Sequence, residues 1–148
     1  MNKKPVVTQR NGKIGMVSES LPDQLTDLHS IRVKDLVKKC HLWNVEVLSE
    51  SDLDNAFDVL KTYSEQSHFS RRLVQCTRCG LLYIKEFYEE TDWIDGEDPQ
   101  YETYIPLASA HEAEAINKAD LLEFQTFSPR INRDWPKGKP RRIYWVGK

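Results

Sequence analysis

The sequence lacks long hydrophobic runs and has few cysteines. None of its apolar stretches approaches the ~20 residues that a membrane-spanning helix needs. The first residues, MNKKPVVTQRNGK, are basic but no apolar segment follows them, so we expect no secretory signal and a cytoplasmic protein. The chain has three cysteines, an odd number that does not indicate a disulfide framework and that agrees with that compartment.

The sequence also lacks the motifs that accompany known catalytic mechanisms. It contains no nucleophile elbow, no phosphate-binding loop and no dinucleotide-binding glycine pattern. The four histidines are scattered along the chain, at His29, His41, His68 and His111. Acid–base catalysis by two carboxylates needs one of them in a site that raises its pKa, and the sequence indicates no such site. We therefore predict that this protein is not an enzyme.

The composition is that of an ordinary globular protein. Of the 148 residues, 39% are hydrophobic and 30% are charged, and a chain of this length is typical of one domain with a real core. We expect residues 1–148 to form a single α+β domain. The predicted architecture is a mainly antiparallel sheet with two to four helices packed on it.

Several segments have the features of strands. The clearest are FSRRLVQC and LLYIKEFYEE on either side of a CTRCG turn, then QYETYIPL, and RIYWV near the C-terminus. Pro106 in the third of these predicts a sheet edge or a strand end. Asn11-Gly12 predicts a hairpin turn near the start of the chain. A further strand is predicted by the alternation of apolar Trp43, Val45 and Val47 with polar neighbours.

Helices are predicted from apolar residues at helical spacing. Two short patterns, at residues 21–28 and 33–40, predict helices in the first third of the chain. The strongest predicted helix runs from Asp52 to about Ser64, on the apolar stripe of Leu53, Ala56, Phe57, Leu60 and Tyr63. A capping box, Ser109 to Glu112, predicts a helix that runs to about Ala119. The chain from there to RIYWV is expected to be irregular.

The turn Cys76-Thr-Arg-Cys79-Gly80 resembles a zinc knuckle. Structural zinc needs four ligands, usually from two such turns, and this chain contains one. The remaining candidate ligands are Cys40, His41 and His68, none of which belongs to a second paired motif. We therefore predict reduced thiols and no cofactor, and keep a structural zinc ion at Cys76 and Cys79 as the alternative. A redox role is disfavoured because the segment after the turn predicts a strand, not a helix.

Residues 86–102, EFYEETDWIDGEDPQYE, form what we call the acidic segment. It contains eight carboxylates, four aromatic rings and no lysine or arginine. An EF-hand alignment on Gly96 places Trp93 at a ligand position, which excludes that kind of calcium site. A basic partner would relieve the repulsion among these acids, and the rings would supply contact area. The predicted partner-binding residues are Glu86, Tyr88, Glu89, Glu90, Asp92, Trp93, Asp95, Glu97, Asp98 and Tyr101.

Two other interpretations of these charges stay open. The acidic segment is also explained as a solvated loop whose aromatic residues belong to the core. Residues 130–148 carry seven basic side chains against one acid, so the charge distribution predicts two surfaces of opposite sign. The alternative function is therefore a zinc-knuckle-like nucleic-acid-binding protein that uses Arg71, Arg72, Arg78 and this basic tail. A pI near 6.1 lacks the basic excess of most such proteins.

The order of these motifs resembles a family of small bacterial proteins. The shared features are the CTRCG turn, the EFYEETDW run, the DPQY segment and a terminal aromatic strand, over about residues 68–148. Such proteins are similar to the immunity proteins of contact-dependent growth inhibition and related polymorphic-toxin systems. The resemblance implies a cytoplasmic toxin inhibitor that occludes the active site of its cognate toxin domain, a basic nuclease, by protein–protein interaction. It implies no catalysis, no membrane and no direct contact with nucleic acid.

Overall fold

The computed structural model describes residues 25–148, so the predicted hairpin at Asn11-Gly12 lies outside the described residues. The helices are α1 Leu25–Val37, α2 His41–Asn44, α3 Glu50–Leu53, α4 Ala110–Ile116 and α5 Leu121–Phe124. The strands are β1 Phe57–Gln66, β2 Phe69–Cys76, β3 Leu82–Glu89, β4 Gln100–Leu107, β5 Arg130–Trp135 and β6 Arg142–Val146. Within this range, no helix is long and apolar enough to cross a membrane.

The six strands form one antiparallel sheet in chain order, from β1 to β6. Each strand pairs with the one before it, which is the arrangement that short connections favour. Of the five helices, only α1 and α4 are seven residues or longer. The prediction of an α+β fold with a mainly antiparallel sheet is confirmed, and the number of helices is close to the expected two to four.

Neighbouring residues of a strand point to opposite faces of the sheet. Both faces carry apolar side chains, and each face is covered by another part of the chain. One face packs Leu73, Ile84 and Ile105 against α4 and the segment that contains Phe124 and Phe127. The other face packs Val74, Tyr83, Tyr104 and Ile131 against the segment between α1 and β1, which contributes Cys40, Leu42, Leu48 and Leu53. The segment from Cys40 to Leu53 therefore covers one face of the sheet while containing only two single-turn helices.

The helix predicted from Asp52 to Ser64 is wrong. Helix α3 ends at Leu53, the backbone of Asn55 is left-handed with a φ of 61°, and the following residues form strand β1. Two irregularities in the pairing of β1 with β2, at Val59/Lys61 and Thr62/Ser64, interrupt the alternation of a regular strand. As a result, the apolar residues of β1 lose the period of two and by coincidence match a helical stripe.

Two further segments differ from the predictions. The strand predicted at Trp43 to Val47 is wrong: His41–Asn44 form a single helical turn, and Trp43 contacts Trp145 edge to face. The segment between Ala119 and RIYWV is not irregular throughout, because α5 and β5 lie there. The sequence pattern missed β5 because flanking prolines and alternating charges obscured it, whereas pairing with β4 and β6 stabilises it.

The other strands and the helix after Ser109 are confirmed, but the two helices predicted at residues 21–28 and 33–40 are, in the described residues, one continuous helix, α1. Strands β2, β3, β4 and β6 occupy the predicted segments, and Gly80 adopts a left-handed φ of 81° in the CTRCG turn. Ser109 caps α4 by accepting from the backbone N–H of Glu112. The Glu112 carboxylate accepts from the N–H of Ala108 and lies 3.0 Å from Nδ1 of the buried His29. Pro106 lies in β4 beyond the last residue that pairs with β5, which agrees with a strand end.

Candidate functional site

The acidic segment forms a hairpin. Its first residues complete β3, residues 90–99 form the connecting loop, and its last residues begin β4. Cross-strand pairing places Tyr88 opposite Tyr101 and Glu86 opposite Thr103. The predicted partner-binding residues therefore belong to one end of the sheet, but they differ in their surroundings.

Glu86 lies inside the fold. Its Oε2 accepts from Nε and Nη2 of Arg71 at 2.9 and 2.7 Å, and both side chains are nearly fully buried. Arg71 also donates to the backbone oxygen of Asn117 at 2.8 Å and stacks over Phe124. Burial raises the pKa of Glu86 above its ordinary value, and Arg71 offsets this only in part. Glu86 thus ties β3 to β2, and it is buried rather than exposed as a partner-binding residue is expected to be, although it contributes to the lining of the groove described below.

Glu89, Tyr88 and Tyr101 are half-buried. The Glu89 carboxylate lies 2.9 Å from Nδ1 of His68 and accepts from Nε2 of Gln100 at 2.7 Å, and these hydrogen bonds lower the pKa of Glu89. The rings of Tyr88 and Tyr101 stack with centroids 6.4 Å apart. His68, from the turn between β1 and β2, therefore pairs with this hairpin and is removed from the candidate ligands of the cysteine turn.

The loop of residues 90–99 is held by hydrogen bonds from within and by one lysine. Asp92 accepts from the backbone N–H groups of Ile94 and Asp95, and its own N–H donates to Asp98. Lys137, from the β5–β6 turn, lies 2.7 Å from both Asp92 and Asp95. These contacts, first of all the bond from Lys137, lower the pKa of Asp92 to about 2. The basic tail thus lies against the acidic loop and neutralises part of it, in contrast to two separate surfaces of opposite charge.

The tip of this loop is exposed. Trp93 is 89% exposed and Ile94 is 88% exposed. Glu90 and Glu97 are also exposed, and none of the ion pairs just described includes them. The hairpin therefore presents two large apolar side chains next to carboxylates that face solvent.

A groove of about 480 Å³ runs beside the hairpin, between α5 and the end of the sheet. Its lining includes Tyr88, Tyr101, Glu90, Asp134, Leu121 and Leu122. The prediction contained neither the two leucines nor Asp134. The sequence contained a signal for the helix that carries the leucines, because Asp120 and Glu123 form a capping box at the start of α5. Leu122 of this helix is 83% exposed. The groove combines stacked rings, apolar side chains and carboxylates.

A second cluster forms at the other end of β3, around the cysteine turn. The ligand atoms of Cys40, His41 and Cys76 all lie within 4.8 Å of one another, and His41 Nδ1 is 3.6 Å from Cys76 Sγ. Cys79, in the same turn, lies near enough to Cys40 and Cys76 to affect the pKa of both thiols, but its sulfur is outside the group that meets within 4.8 Å. Cys40 and His41, which belong to no paired motif in the sequence, thus meet Cys76 of the cysteine turn.

The environment of each group in this cluster is distinct. Burial raises the pKa of Cys40 to about 12, although the Tyr83 hydroxyl donates to its sulfur at 3.2 Å. Burial also acts to raise the pKa of Cys76, but bonds to its sulfur, chiefly from the N–H groups of Cys79 and Arg78, lower it overall. The pKa of His41 is lowered by burial and by the nearby Arg78, so the imidazole is neutral at pH 7.

No protein-family model, curated protein sequence or solved structure matches this chain. The resemblance to immunity proteins therefore stays a prediction that rests on the motifs of residues 68–148.

Proposed function

We propose that this protein is a non-catalytic inhibitor that binds a basic protein domain through the outer part of the acidic hairpin. We call Glu90, Trp93, Ile94, Glu97 and the adjoining groove the recognition surface. The observation that carries the proposal is the almost complete exposure of Trp93 and Ile94 at the tip of a braced acidic loop. A partner that covers such a tryptophan gains the free energy of removing its apolar surface from water. Tryptophan is also enriched among interface hot spots.

The rigidity of the loop supports a binding role. Asp92 holds two backbone N–H groups, and Lys137 joins Asp92 to Asp95. A loop that is already ordered loses less conformational entropy on binding than a mobile one. The backbone on either side of Trp93 is therefore already held before a partner binds.

The chemistry of the groove indicates the class of partner. The carboxylates of Glu90 and Asp134 suit a lysine or arginine head group, and its aliphatic stem would pack on Leu122 and on the rings of Tyr88 and Tyr101. Exposed carboxylates also attract a positively charged domain and accelerate its association. Both features favour a cationic protein surface.

The resemblance to immunity proteins specifies the partner further. It implies that the basic domain is the toxic C-terminal domain of a delivered protein, a nuclease, and that binding occurs in the cytoplasm of the producing cell. A nuclease has a basic cleft for its substrate, and a surface of carboxylates and rings imitates the charge and the planar bases of that substrate. Occlusion of the cleft then needs no catalysis by the inhibitor.

The internal ion pairs disfavour two other functions, nucleic-acid binding and hydrolysis at a divalent metal ion held by the acidic loop. Nucleic-acid binding would use Arg71, Arg72 and Arg78. Arg71 is buried against Glu86 and Arg72 already pairs with Glu65, so both are less available to phosphate groups. A hydrolytic metal site at Asp92 and Asp95 competes with the ammonium group of Lys137, which lies between these carboxylates. Each alternative would require these internal pairs to open.

The test uses the toxin domain that the resemblance predicts to be encoded directly upstream in the source genome, purified as a catalytically inactive variant. We expect a one-to-one complex whose association slows as ionic strength rises from dilute to physiological buffer. Trp93→Ala should accelerate dissociation by about tenfold or more, as expected for a hot spot. Stopped-flow and surface plasmon resonance measurements give both rates.

A matched pair of charge variants isolates the electrostatic contribution. Glu90→Lys with Glu97→Lys changes the net charge as much as Glu46→Lys with Asp58→Lys, whose side chains are exposed elsewhere. Only the first pair should reduce the association rate strongly. Equal effects of the two pairs, or unchanged binding by Trp93→Ala, would contradict the proposed surface.

A further inference from the structure

All three cysteines of the chain converge at one place. Cys40 precedes α2, Cys76 ends β2, and Cys79 lies in the turn between β2 and β3. His41 follows Cys40 directly and aims Nδ1 at the Cys76 sulfur. Two short segments that are distant in the sequence thus bring two sulfur atoms and one imidazole nitrogen within 4.8 Å of one another, and Cys79 lies in the adjoining turn.

We propose that Cys40, His41, Cys76 and Cys79 bind one structural Zn²⁺ ion as a Cys₃His site. In a tetrahedral site with Zn–S of about 2.3 Å and Zn–N of about 2.0–2.1 Å, a sulfur and a nitrogen ligand lie about 3.6 Å apart. The distance from Cys76 Sγ to His41 Nδ1 is 3.6 Å. The separations within 4.8 Å among Cys40, His41 and Cys76 need only small side-chain adjustments to meet the same geometry, and the exposed Cys79 would turn its side chain toward them to supply the fourth ligand.

The backbone around the thiols is arranged for thiolate ligands. The N–H groups of Arg78 and Cys79 donate to the Cys76 sulfur, and the N–H of Leu42 donates to the Cys40 sulfur. Such bonds stabilise a negatively charged sulfur and orient it, as outer partners of metal ligands do. Gly80, at a φ of 81°, closes the turn by donating to the Cys76 carbonyl at 2.9 Å. These features complete a knuckle around Cys76 and Cys79.

The ligand set favours zinc over the other chemistries of cysteine. A disulfide would use two of the three thiols and leave the third, with His41, unexplained. A thiol redox centre of the Cys-x-x-Cys type needs its first cysteine at a helix N-terminus, whereas Cys76 ends a strand. Three thiolates with one imidazole in a closed site are characteristic of structural zinc. Arg78 lies close enough to interact with His41 and would offset the remaining negative charge.

The site also explains how a nearly irregular segment covers one face of the sheet. Helices α2 and α3 have four residues each, far too short to be stable alone in water. A zinc ion would fix Cys40 and His41 to the β2–β3 turn and so anchor the segment that contains Leu42, Leu48 and Leu53. This role is independent of the recognition surface at the other end of β3.

The test measures metal content and metal affinity of the full-length chain. Protein purified under reducing conditions without added metal should contain about one zinc ion per chain, as measured by inductively coupled plasma mass spectrometry. Replacement by Co²⁺ should give the intense visible spectrum of a tetrahedral site with a thiolate charge-transfer band. A strong chelator should lower the Tm by roughly 10 °C or more, and added zinc should restore it.

Two variants with matched controls assign the ligands. Cys79→Ser changes an exposed side chain and His41→Gln a partly exposed one, so both should fold, with zinc affinity reduced roughly 100-fold or more. His111→Gln, at an exposed histidine outside the cluster, should retain wild-type zinc affinity. Zinc-free protein that gives no tetrahedral cobalt spectrum, a disulfide in the reduced preparation, or full zinc affinity in both variants would each overturn the proposal.

Discussion

The strand part and the loop part of the acidic segment are both rich in carboxylates but have opposite surroundings. In the strand part, Glu86 is buried against Arg71, and Glu102 lies between Lys85 and Arg133. In the loop part, Trp93 and Ile94 are exposed beside Glu90 and Glu97. The strand carboxylates hold the sheet together, whereas the loop presents its side chains to solvent.

This difference shows that a run of acids does not by itself define a binding surface. A strand sends alternate residues to opposite faces, so some carboxylates must enter the fold and require a buried cation. Two of the cations, Arg71 and Arg133, come from the neighbouring strands β2 and β5, and the third, Lys85, comes from β3 itself. The surface available to a partner is therefore smaller than the acidic segment and is centred on the loop.

The largest effect is expected at the strand part. Glu86→Gln should lower the free energy of unfolding by about 3 kcal/mol, because glutamine keeps the size of the side chain but leaves the Arg71 guanidinium buried without a counter-charge. Urea denaturation at pH 7 measures this loss. Replacing both residues, Arg71→Met with Glu86→Met, should restore stability to within about 1 kcal/mol of wild type. If the single variant lost less than about 1 kcal/mol of unfolding free energy, Glu86 would contribute as little to the stability of the fold as the exposed loop acids.

A smaller loss is expected at Arg133, which lies beside Glu102 and stacks over Trp135. Arg133→Met should reduce the free energy of unfolding by about 1–2 kcal/mol, since its guanidinium is 12% exposed and also lies 3.0 Å from Glu50. Arg141 is the control, because it pairs with the same Glu50 but is 65% exposed. Arg141→Met should cost less than about 0.5 kcal/mol. Equal losses would mean that burial does not separate these pairs.

In the loop part, the clearest effect should appear in a pKa. Lys137→Met removes the main hydrogen bond to Asp92, so the pKa of Asp92 should rise from about 2 toward its ordinary value of 3.8. Because the folded-state pKa is depressed, this carboxylate stabilises the fold above pH 3.8 and loses that contribution as the pH falls through about 2. NMR titration of the carboxyl carbons measures the shift. Lys139→Met, in the same turn, should leave the pKa of Asp92 unchanged.

The smallest effect on stability is expected at the tip of the loop. Trp93→Ser with Ile94→Ser should change the free energy of unfolding by less than about 0.5 kcal/mol, because both side chains are already exposed. Ile84→Ala, at a fully buried position on the same hairpin, should cost about 3 kcal/mol in the same thermal or urea experiment. A loss above 1 kcal/mol at the tip would show that the loop part contributes to the fold.

The elements with strong local signals were predictable. Strands β2, β3 and β4 contain the β-branched and aromatic residues typical of strands and are separated by glycine- or acid-rich turns, and Ser109 marks the start of α4. Strand β1 was not predictable, because its irregular pairing with β2 disrupts the alternation on which a strand prediction depends. Strand β5 was missed since its stability comes from two neighbouring strands, which a single segment does not reveal.

The candidate sites were predictable only in part. The acidic segment and the Cys76–Cys79 turn are visible as sequence motifs. The groove is not, because Leu122 and Asp134 reach Tyr88 and Tyr101 only through the packing of α5 and β5 against the hairpin. Cys40 and His41 were recognised as candidates, but only the fold brings them within 4.8 Å of Cys76.

The sequence by itself determined the class of fold, the hairpin that contains the acidic segment and the turn that contains two thiols, since these depend on contacts between residues close in the chain. Tertiary structure decided which carboxylates are buried, which ring is exposed and which side chains join the thiols. Those outcomes depend on pairing between distant strands and on desolvation, and both arise only when the sheet and its covering segments have come together.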